Sequence, residues 1–426
     1  MLILSIPVHY VLELTPACSN RCPGCSNVYA EARRKGRMGQ VWHEPLDTAG
    51  WQRIIEIIGP EAVQIKLSGG EPTLYPEFPT ILASATSYDA AVTLFTNGRW
   101  RQPQQIITLL RHRPGLAGLL VSLHGAHAES HEAFTRVSGS FDETVANIRL
   151  AAEAGLAVAT STVITRHNWQ EIETIVELAR ELGADHATFS RYLGPPLPEL
   201  EPELDQLLAA VKRAEALKHA GKPVKFGTCV PQCFAYNSST GCLAGVAYAA
   251  IDPWGRLRPC AHSPTIAGSL LEYPLIDVWH GPAMQAWREQ IPSDCLDCAA
   301  FPTCHAGCRA LPELRPDRRD PLVMCPLAEV PAPRPQRYLP ASGYPVAAFR
   351  LRKESFGYAI LGQGQVVPVS TAARPLLDAC NGQATFAELG ARYGPEGLEL
   401  LAELAFRGLL DVKENCQVDP EKSKDQ

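Results

Sequence analysis

The stretch PACSNRCPGCSN, residues 16–27, places three cysteines within eight positions, at Cys18, Cys22 and Cys25. A structural zinc site usually takes four protein ligands, and a disulfide takes two cysteines. Three thiolates from one short loop therefore leave a metal one ligand short. Either a distant residue completes the site, or the open coordination position is itself functional.

The other cysteines are also clustered, which indicates metal ligands rather than disulfides. The chain has 426 residues and 14 cysteines. After Cys25 the next cysteine is Cys229, and a dense series then runs to Cys325, followed only by Cys380 and Cys416. A disulfide framework would be spread more evenly, and clustered cysteines in a reducing compartment are typically metal ligands.

The composition is that of an ordinary globular protein, with 46% hydrophobic residues, 20% charged residues and a net charge of -6. The chain has no long basic run, so we expect no nucleic-acid partner. No apolar stretch reaches the ~18 residues of a membrane span, so we expect no membrane partner. The apolar start lacks the basic region and the cleavage site of a signal peptide, which favours a cytoplasmic protein.

From residue 8 to about 193, six apolar strand-like runs alternate with amphipathic helix-like runs. The strand-like runs are HYVLELT, AVQIKLSG, AVTLFTN, LAGLLVSLHG, LAVATSTVIT and DHATFSRYL. This alternation predicts an α/β fold with a parallel sheet covered by helices. Six units fit a partial (β/α)6 TIM-type barrel, and a doubly wound sheet is the alternative. Both architectures bind ligands at the C-terminal ends of the strands, where the cysteine loop lies.

The cysteine loop and a second motif together resemble the radical S-adenosylmethionine (SAM) superfamily. C-x3-C-x2-C follows the first predicted strand, and SGGEPTL follows the second. The resemblance implies that Cys18, Cys22 and Cys25 hold a [4Fe–4S] cluster whose open iron binds SAM. It further implies that an electron cleaves SAM to a 5′-deoxyadenosyl radical, which abstracts hydrogen from the substrate. The electron donor would be a protein such as flavodoxin or ferredoxin.

Several residues at strand ends are candidate SAM contacts. They are Gly69, Gly70, Glu71, Pro72, Thr96, Asn97, Ser122 and Arg136. The two glycines lack side chains and let the backbone approach the cofactor. Glu71 would place a carboxylate near a cationic ligand, and Pro72 stiffens the turn. Arg136 and Arg149 are candidates for the cofactor carboxylate, and a solvated helix face is the alternative for each.

A second cysteine region resembles the SPASM domain, a loop-rich extension that binds two auxiliary iron–sulfur clusters. The cysteines follow the order Cys242, Cys260, Cys295-x2-Cys298-x5-Cys304-x3-Cys308 and Cys325. The resemblance assigns to auxiliary cluster I the residues Cys242, Cys260 and Cys308. It assigns to auxiliary cluster II the residues Cys295, Cys298, Cys304 and Cys325. With the SAM-binding cluster, this implies three [4Fe–4S] clusters.

Auxiliary cluster I lacks a fourth cysteine in this assignment. The upstream segment TCVPQC supplies Cys229 and Cys233, and we favour Cys233 because it is nearer to Cys242 in sequence. The alternative is an open cluster that binds substrate. Zinc is an alternative metal for the region, since CLDC and CHAGC are also zinc-like spacings. Cys380 has apolar neighbours on a predicted helix, so we expect a buried structural thiol.

Residues 346–414 resemble the PqqD-like peptide-recognition element, a small winged-helix-like α+β unit. The sequence predicts two or three strands with a glycine turn at GQGQ, followed by three helices. The resemblance implies that a leader peptide binds as an added edge strand. A winged-helix DNA binder is the alternative, but the predicted recognition helices carry more acidic than basic residues, which suits phosphate poorly.

The predicted organisation is a radical SAM partial barrel (1–200), a helical bridge (201–228), a SPASM domain (229–328), a proline-rich linker (329–345), a PqqD-like domain (346–414) and a disordered tail (415–426). The leading hypothesis is an enzyme that abstracts hydrogen from a residue of a ribosomally made peptide or protein, bound through its leader segment. It would install a cross-link or another modification. The alternatives are the same chemistry on a small cofactor precursor, and a non-catalytic metal-binding protein.

Overall fold

The computed structural model describes residues 2–25, 27–29, 44–227, 230–235, 241–323 and 339–414. These residues form two compact units, one between residues 6 and 323 and one comprising 339–414 with 2–5. Cys229, Cys325 and the predicted disordered tail lie outside the described residues. Within the described part of the chain, no helix has the length and apolarity needed to cross a bilayer.

The first unit is built on a ten-stranded sheet with the order β10-β9-β8-β1-β2-β3-β4-β5-β6-β7. The strands are β1 (His9–Glu13), β2 (Gln64–Ser68), β3 (Ala91–Thr96), β4 (Leu116–Ser122), β5 (Val158–Ile164), β6 (His186–Arg191), β7 (Val224–Phe226), β8 (Tyr248–Ile251), β9 (Arg256–Arg258) and β10 (Gly268–Ser269). Strands β8 and β1 through β7 run parallel, and β9 and β10 add antiparallel at one edge. The predicted partial barrel is confirmed.

Amphipathic helices alternate with these strands. They are α1 (Thr48–Ile58), α2 (Phe78–Ala85), α3 (Pro103–Arg111), α4 (Ala128–Thr135), α5 (Ser140–Glu153), α6 (Ile172–Glu181) and α7 (Leu204–His219). Helix α1 shows why the sequence folds this way. Its apolar positions Trp51, Ile54 and Ile58 recur at helical spacing and are buried, and the Asp47 side chain caps its first turn.

Residues 201–228, predicted as a helical bridge, contain α7 and also the strand β7, which pairs in parallel with β6. Helix α7 packs its apolar face, including Leu207, Ala210 and Val211, into the same core as Val224 of β7. The segment is therefore a further helix–strand unit of the barrel. Sequence periodicity does not reveal β7 because it has only three residues.

The region after residue 241 returns to the other edge of the sheet, where β8 pairs with β1. Its short helices are α8 (Leu275–Trp279), α9 (Pro282–Arg288), α10 (Ser293–Leu296), α11 (Phe301–Cys304) and α12 (Leu311–Leu314). The Arg288 guanidinium lies 4.4 Å from the ring centroid of Trp279. The Arg309 guanidinium lies 4.4 Å from the ring centroid of Trp287. These cation–π contacts stabilise a region with little regular structure.

The second unit has a two-stranded and a three-stranded antiparallel sheet. Its elements are β11 (Tyr344–Ala347), β12 (Arg350–Glu354), β13 (Gly357–Gly362), β14 (Gln365–Val369), α13 (Arg374–Asp378), α14 (Phe386–Phe406) and β15 (Leu410–Lys413). Helix α14 breaks at Gly394, which has a φ of 75° and precedes Pro395. The predicted glycine turn joins β13 to β14, and Cys380 is buried in the core as expected.

Candidate active site

A cavity of about 900 Å³ lies inside the curved sheet of the first unit. Inward-facing residues of β1 to β7 line it, together with two groups of cysteines. The primary cysteines are Cys18, Cys22 and Cys25. The first auxiliary group is Cys242, Cys260 and Cys308. Ligand pockets for small molecules typically measure ~300–1,000 Å³, so this cavity has room for a nucleoside cofactor and part of a substrate.

The loop that carries the primary cysteines is held by two residues that follow β3. Asn97 donates from Nδ2 to Ser19 Oγ at 2.9 Å and lies 3.7 Å from Cys18 Sγ. Arg99 donates to the carbonyl of Ser19 at 3.0 Å and to Oδ1 of Asn20 at 2.9 Å. The sequence analysis identified Asn97 but missed Arg99, because no motif distinguishes this arginine from a surface one.

The GGEP motif after β2 packs directly against the same loop. The N–H of Gly70 donates to the carbonyl of Thr15 at 2.6 Å, and that of Glu71 donates to the carbonyl of Ala17 at 2.7 Å. A Cβ atom on Gly70 would lie 2.1 Å from the Ala17 carbonyl oxygen. Only glycine fits there, so the missing side chain lets the motif approach the cysteine loop as well as the cavity.

The side chain of Glu71 does not point into the cavity, contrary to the expectation that its carboxylate faces a cationic ligand. It is fully buried. Its oxygens accept hydrogen bonds from Thr96 Oγ1 at 2.8 Å, the Asn97 N–H at 2.8 Å and Thr73 Oγ1 at 2.7 Å. Burial raises the pKa of the carboxyl, and these hydrogen bonds act in the opposite direction. Glu71 therefore ties the loop after β2 to the loop after β3 and is a positioning residue.

The other candidate SAM contacts divide into two sets. The residues that line the cavity are Gly69, Gly70, Thr96, Asn97 and Ser122. Pro72 and Arg136 are not among its lining residues. Arg136 ends α4 in the left-handed conformation, with a φ of 56°, and is exposed. The structure therefore corrects the expectation that Arg136 meets the cofactor and places it on the solvated face.

The first auxiliary group brings together cysteines that are far apart in the sequence. Burial raises the pKa of the Cys260 thiol, and the nearby Cys242 and Cys308 raise it further. His262 Nδ1 lies 3.4 Å from Cys260 Sγ. Buried thiols with raised pKa values bind metal by releasing protons, so the donor set of this group fits an iron–sulfur cluster.

A buried ion pair connects β6 to this group. Arg191 donates to both carboxylate oxygens of Asp320, at 2.8 Å and 2.6 Å. Asp320 also accepts a hydrogen bond from the Cys308 N–H at 3.1 Å. Burial alone would raise the pKa of Asp320, but the charge of Arg191 and the hydrogen bonds outweigh it and hold this pKa below its usual value. No sequence pattern predicts this pair, because its members lie 129 residues apart.

A second auxiliary group lines a smaller cavity of about 40 Å³. It consists of Cys233, Cys295, Cys298 and Cys304. Burial raises the pKa of the Cys295 thiol to about 11, and Cys233 contributes most among the neighbouring charges. Cys233 thus lies with the cysteines assigned to auxiliary cluster II, and the expectation that it completes cluster I is wrong.

Cys233 takes this position because its segment folds towards α11 rather than towards the first auxiliary group. Thr303 of α11 donates a hydrogen bond to Oε1 of Gln232 at 3.4 Å. The sequence analysis relied on the nearness of Cys233 to Cys242 along the chain, and this nearness does not set the fold.

Among the described residues, no three His, Cys, Asp or Glu side chains are placed to hold a single metal ion. A [4Fe–4S] cluster is larger than one ion and holds its cysteines further apart.

Comparisons with known proteins agree with this geometry. Residues 12–179 match the Radical SAM superfamily, and residues 242–300 match SPASM, an iron–sulfur cluster-binding domain. This chain has a radical SAM domain followed by a SPASM domain. It is an enzyme, and these domains bind S-adenosylmethionine and iron–sulfur clusters.

Two curated relatives and one solved structure illustrate the likeness. The AdoMet-dependent heme synthase of Methanosarcina barkeri is 29% identical over 70% of this chain and 90% of its own length. The PqqA peptide cyclase of Granulibacter bethesdensis is 28% identical over 71% of this chain and 82% of its own. Streptococcus suis SuiB, bound to its precursor peptide SuiA, has a TM-score of 0.61 and 18% identity over 75% of this chain and 76% of that chain. The last likeness shows the shared fold.

Replacing Glu71 by Gln is expected to slow SAM cleavage by about 10- to 100-fold. The amide nitrogen of the glutamine would face a donor of Thr96, Thr73 or the Asn97 backbone, so one buried N–H or O–H would lack an acceptor. Such an unsatisfied donor costs about 1–3 kcal/mol, which corresponds to the expected loss of rate. The measurement is the rate of 5′-deoxyadenosine formation in the dithionite-reduced enzyme. Glu77→Gln is the matched control, since Glu77 is exposed and its side chain caps nothing. A wild-type rate in Glu71→Gln would contradict the positioning role.

Proposed function

We propose that this enzyme abstracts hydrogen from a residue of a ribosomally made precursor peptide and thereby installs a cross-link or another modification. The observation that carries the proposal is the single cavity lined by both the primary cysteines and the first auxiliary group. Bound at the primary cysteines, a [4Fe–4S] cluster with SAM supplies the 5′-deoxyadenosyl radical. A substrate in this cavity lies next to both cysteine groups.

The proposal gives each cysteine group one cluster, so that the chain holds three [4Fe–4S] clusters. The primary cysteines hold the SAM-binding cluster, and the two auxiliary groups hold the others. Gly69, Gly70, Thr96, Asn97 and Ser122 line the cavity and form the SAM site. A flavodoxin or ferredoxin supplies the electron.

Two features support a peptide as the substrate. Relatives of the chain include a PqqA peptide cyclase, and its fold is that of SuiB, which was solved with a precursor peptide. The proposal also takes the second unit as a PqqD-like element that binds a leader. Its three-stranded sheet has the order β12-β13-β14, so β12 and β14 are its edges within the described residues. An edge strand binds an extended leader through main-chain hydrogen bonds.

The second candidate is the same radical chemistry on a small cofactor precursor. The observation that favours it is the 29% identity to a heme synthase over most of both chains. In that case the second unit is structural and binds no leader.

The experiment that separates the two candidates uses the reconstituted full-length enzyme with SAM and dithionite under anaerobic conditions. The substrate is a synthetic peptide with the sequence of a short reading frame beside the gene, and the same peptide without its N-terminal half is the control. We expect a change in the mass of the full peptide, and 5′-deoxyadenosine formation that depends on its leader. An active enzyme that leaves every such peptide unchanged would contradict the proposal and favour the small precursor.

The cluster assignment predicts the effect of replacing Cys233 by alanine. Cys295→Ala and Cys242→Ala identify the EPR signals of the second and the first auxiliary cluster, respectively. Cys233→Ala is expected to alter the signal of the second cluster and to leave that of the first unchanged. The reason is that Cys233 lines the cavity of the second auxiliary group. Cys380→Ala is the control and is expected to spare both signals, because Cys380 is buried in the core of the second unit and belongs to none of the cysteine groups. If Cys233→Ala alters the Cys242-dependent signal instead, the assignment is wrong.

A further inference from the structure

Lys66 is a half-buried cation that lines the large cavity. It lies at the centre of β2, in register with Val11 of β1 and Thr93 of β3. Gly69 comes three residues later, which is about 10 Å along a strand at ~3.3 Å per residue. The backbone of Lys66 therefore lies deeper in the cavity than the loops that form the proposed SAM site.

The ammonium group of Lys66 is placed between two aromatic rings. Its Nζ atom lies 5.4 Å from the ring centroid of Phe95 and 6.0 Å from that of Tyr248. Ring faces attract a cation but accept none of its N–H groups in a strong hydrogen bond. Burial lowers the pKa of Lys66, and Cys260 acts in the opposite direction. The three N–H donors are therefore left for a group that enters the cavity.

Two acidic residues, Glu13 and Asp185, line the cavity with Lys66. Glu13 at the end of β1 forms a buried ion pair with Arg258. Among the described residues, no carboxylate lies within ion-pair distance of Lys66. A partly desolvated ammonium without an acidic partner is costly, so the place of Lys66 in this cavity favours an anionic ligand.

We propose that Lys66 binds a carboxylate of the substrate and holds it between the primary cysteines and the first auxiliary group. An ammonium–carboxylate pair is a charge-assisted hydrogen bond, which is stronger than a neutral one, and it fixes the orientation of the group that carries it. The inference rests on the proposed function and adds a substrate class to it. In a peptide substrate, the carboxylate belongs to an acidic residue near the site of hydrogen abstraction.

A competing role for Lys66 is to balance the negative charge of the first auxiliary group. Other cations already do this. Arg309 lies near Cys242, and Arg191 lies near Cys308. The Lys66 ammonium faces the rings of Phe95 and Tyr248, which line the cavity. The contacts therefore favour a ligand-binding role.

The test compares wild-type enzyme with Lys66→Met, which keeps the length of the side chain, and Lys66→Arg, which keeps the charge. The probe is N-acetyl-L-glutamate N-methylamide, with the glutamine counterpart as the neutral control, titrated calorimetrically into reconstituted enzyme with SAM. We expect the wild type to bind the acidic probe at least about 10-fold more tightly than the neutral one. Lys66→Met is expected to lose this preference and Lys66→Arg to retain it. An unchanged preference in Lys66→Met, or none in the wild type, would overturn the inference.

A second readout separates ligand binding from charge balance. Burial lowers the pKa of Lys66, but the charge of Cys260 acts to raise it. We therefore expect Lys66→Met to shift the midpoint potential of the first auxiliary cluster, followed by EPR without probe, and also to lose the probe preference. A shifted potential together with an unchanged probe preference would assign Lys66 to the auxiliary cluster. If the preference for the acidic probe depends on Lys66 but the enzyme modifies no peptide, the carboxylate site is supported. Only the proposal that the substrate is a peptide is then refuted.

Discussion

Replacing Cys18, Cys22 and Cys25 together by alanine is expected to reduce 5′-deoxyadenosine formation to background while the auxiliary iron stays bound. These thiols belong to the loop after β1 and form a cysteine group distinct from the first auxiliary group, which lines another part of the same cavity. The iron content is expected to fall by about four atoms per chain, the content of one [4Fe–4S] cluster. Iron and sulfide are counted after anaerobic reconstitution, and the nucleoside is measured after addition of dithionite and SAM.

The control for this variant is Cys380→Ala. Cys380 is buried in the apolar core of the second unit and belongs to none of the cysteine groups. Its replacement is expected to leave the iron content unchanged. A triple variant that still cleaves SAM at the wild-type rate would contradict the assignment of the primary cysteines.

The largest expected effect on stability comes from replacing Asp320 by alanine. The substitution leaves the guanidinium of Arg191 buried without its partner and the N–H of Cys308 without an acceptor. Removing one member of a buried ion pair costs about 3–5 kcal/mol. Because the folded-state pKa of Asp320 is depressed, the pair stabilises fully at neutral pH, and this stabilisation is lost only as the pH falls through that pKa. The measurement is urea unfolding of the reconstituted enzyme at neutral pH.

An exposed ion pair in the same unit provides the control. Arg180 and Glu177 lie one turn apart on α6, with side chains that are 60% and 51% exposed. Glu177→Ala is expected to leave the urea midpoint unchanged, because exposed pairs are screened by water and salt. If Asp320→Ala unfolds at the same urea concentration as Glu177→Ala, the Arg191–Asp320 pair does not stabilise the region around Cys308.

The parts of the fold that could be predicted are those whose signal is local. The apolar runs of β1 to β6 are long enough to identify each strand, and their alternation with helices implies a parallel sheet. Strands β7 and β8 have three and four residues, too few for a periodic pattern, and β8 joins the sheet by pairing with β1, far away in the sequence. Their place in the sheet therefore emerges only from the structure.

The site shows the same division between local and long-range information. The spacing of the primary cysteines and of GGEP identified both loops, but a motif does not specify where a side chain points. The Glu71 carboxylate faces four donors inside the protein. Cys233 was assigned by its nearness in sequence, whereas folding of the chain places it beside Cys295. Lys66 looked like one polar residue within an apolar strand, and only the cavity around it gives it a role.

The most direct test of the central claim is to follow hydrogen from substrate to cofactor. The reconstituted enzyme is incubated with SAM, dithionite and a fully deuterated precursor peptide, and the 5′-deoxyadenosine is analysed by mass spectrometry. We predict that it contains deuterium and that the peptide changes mass. 5′-Deoxyadenosine without deuterium, together with an unchanged peptide, would contradict the claim that this radical enzyme acts on a peptide.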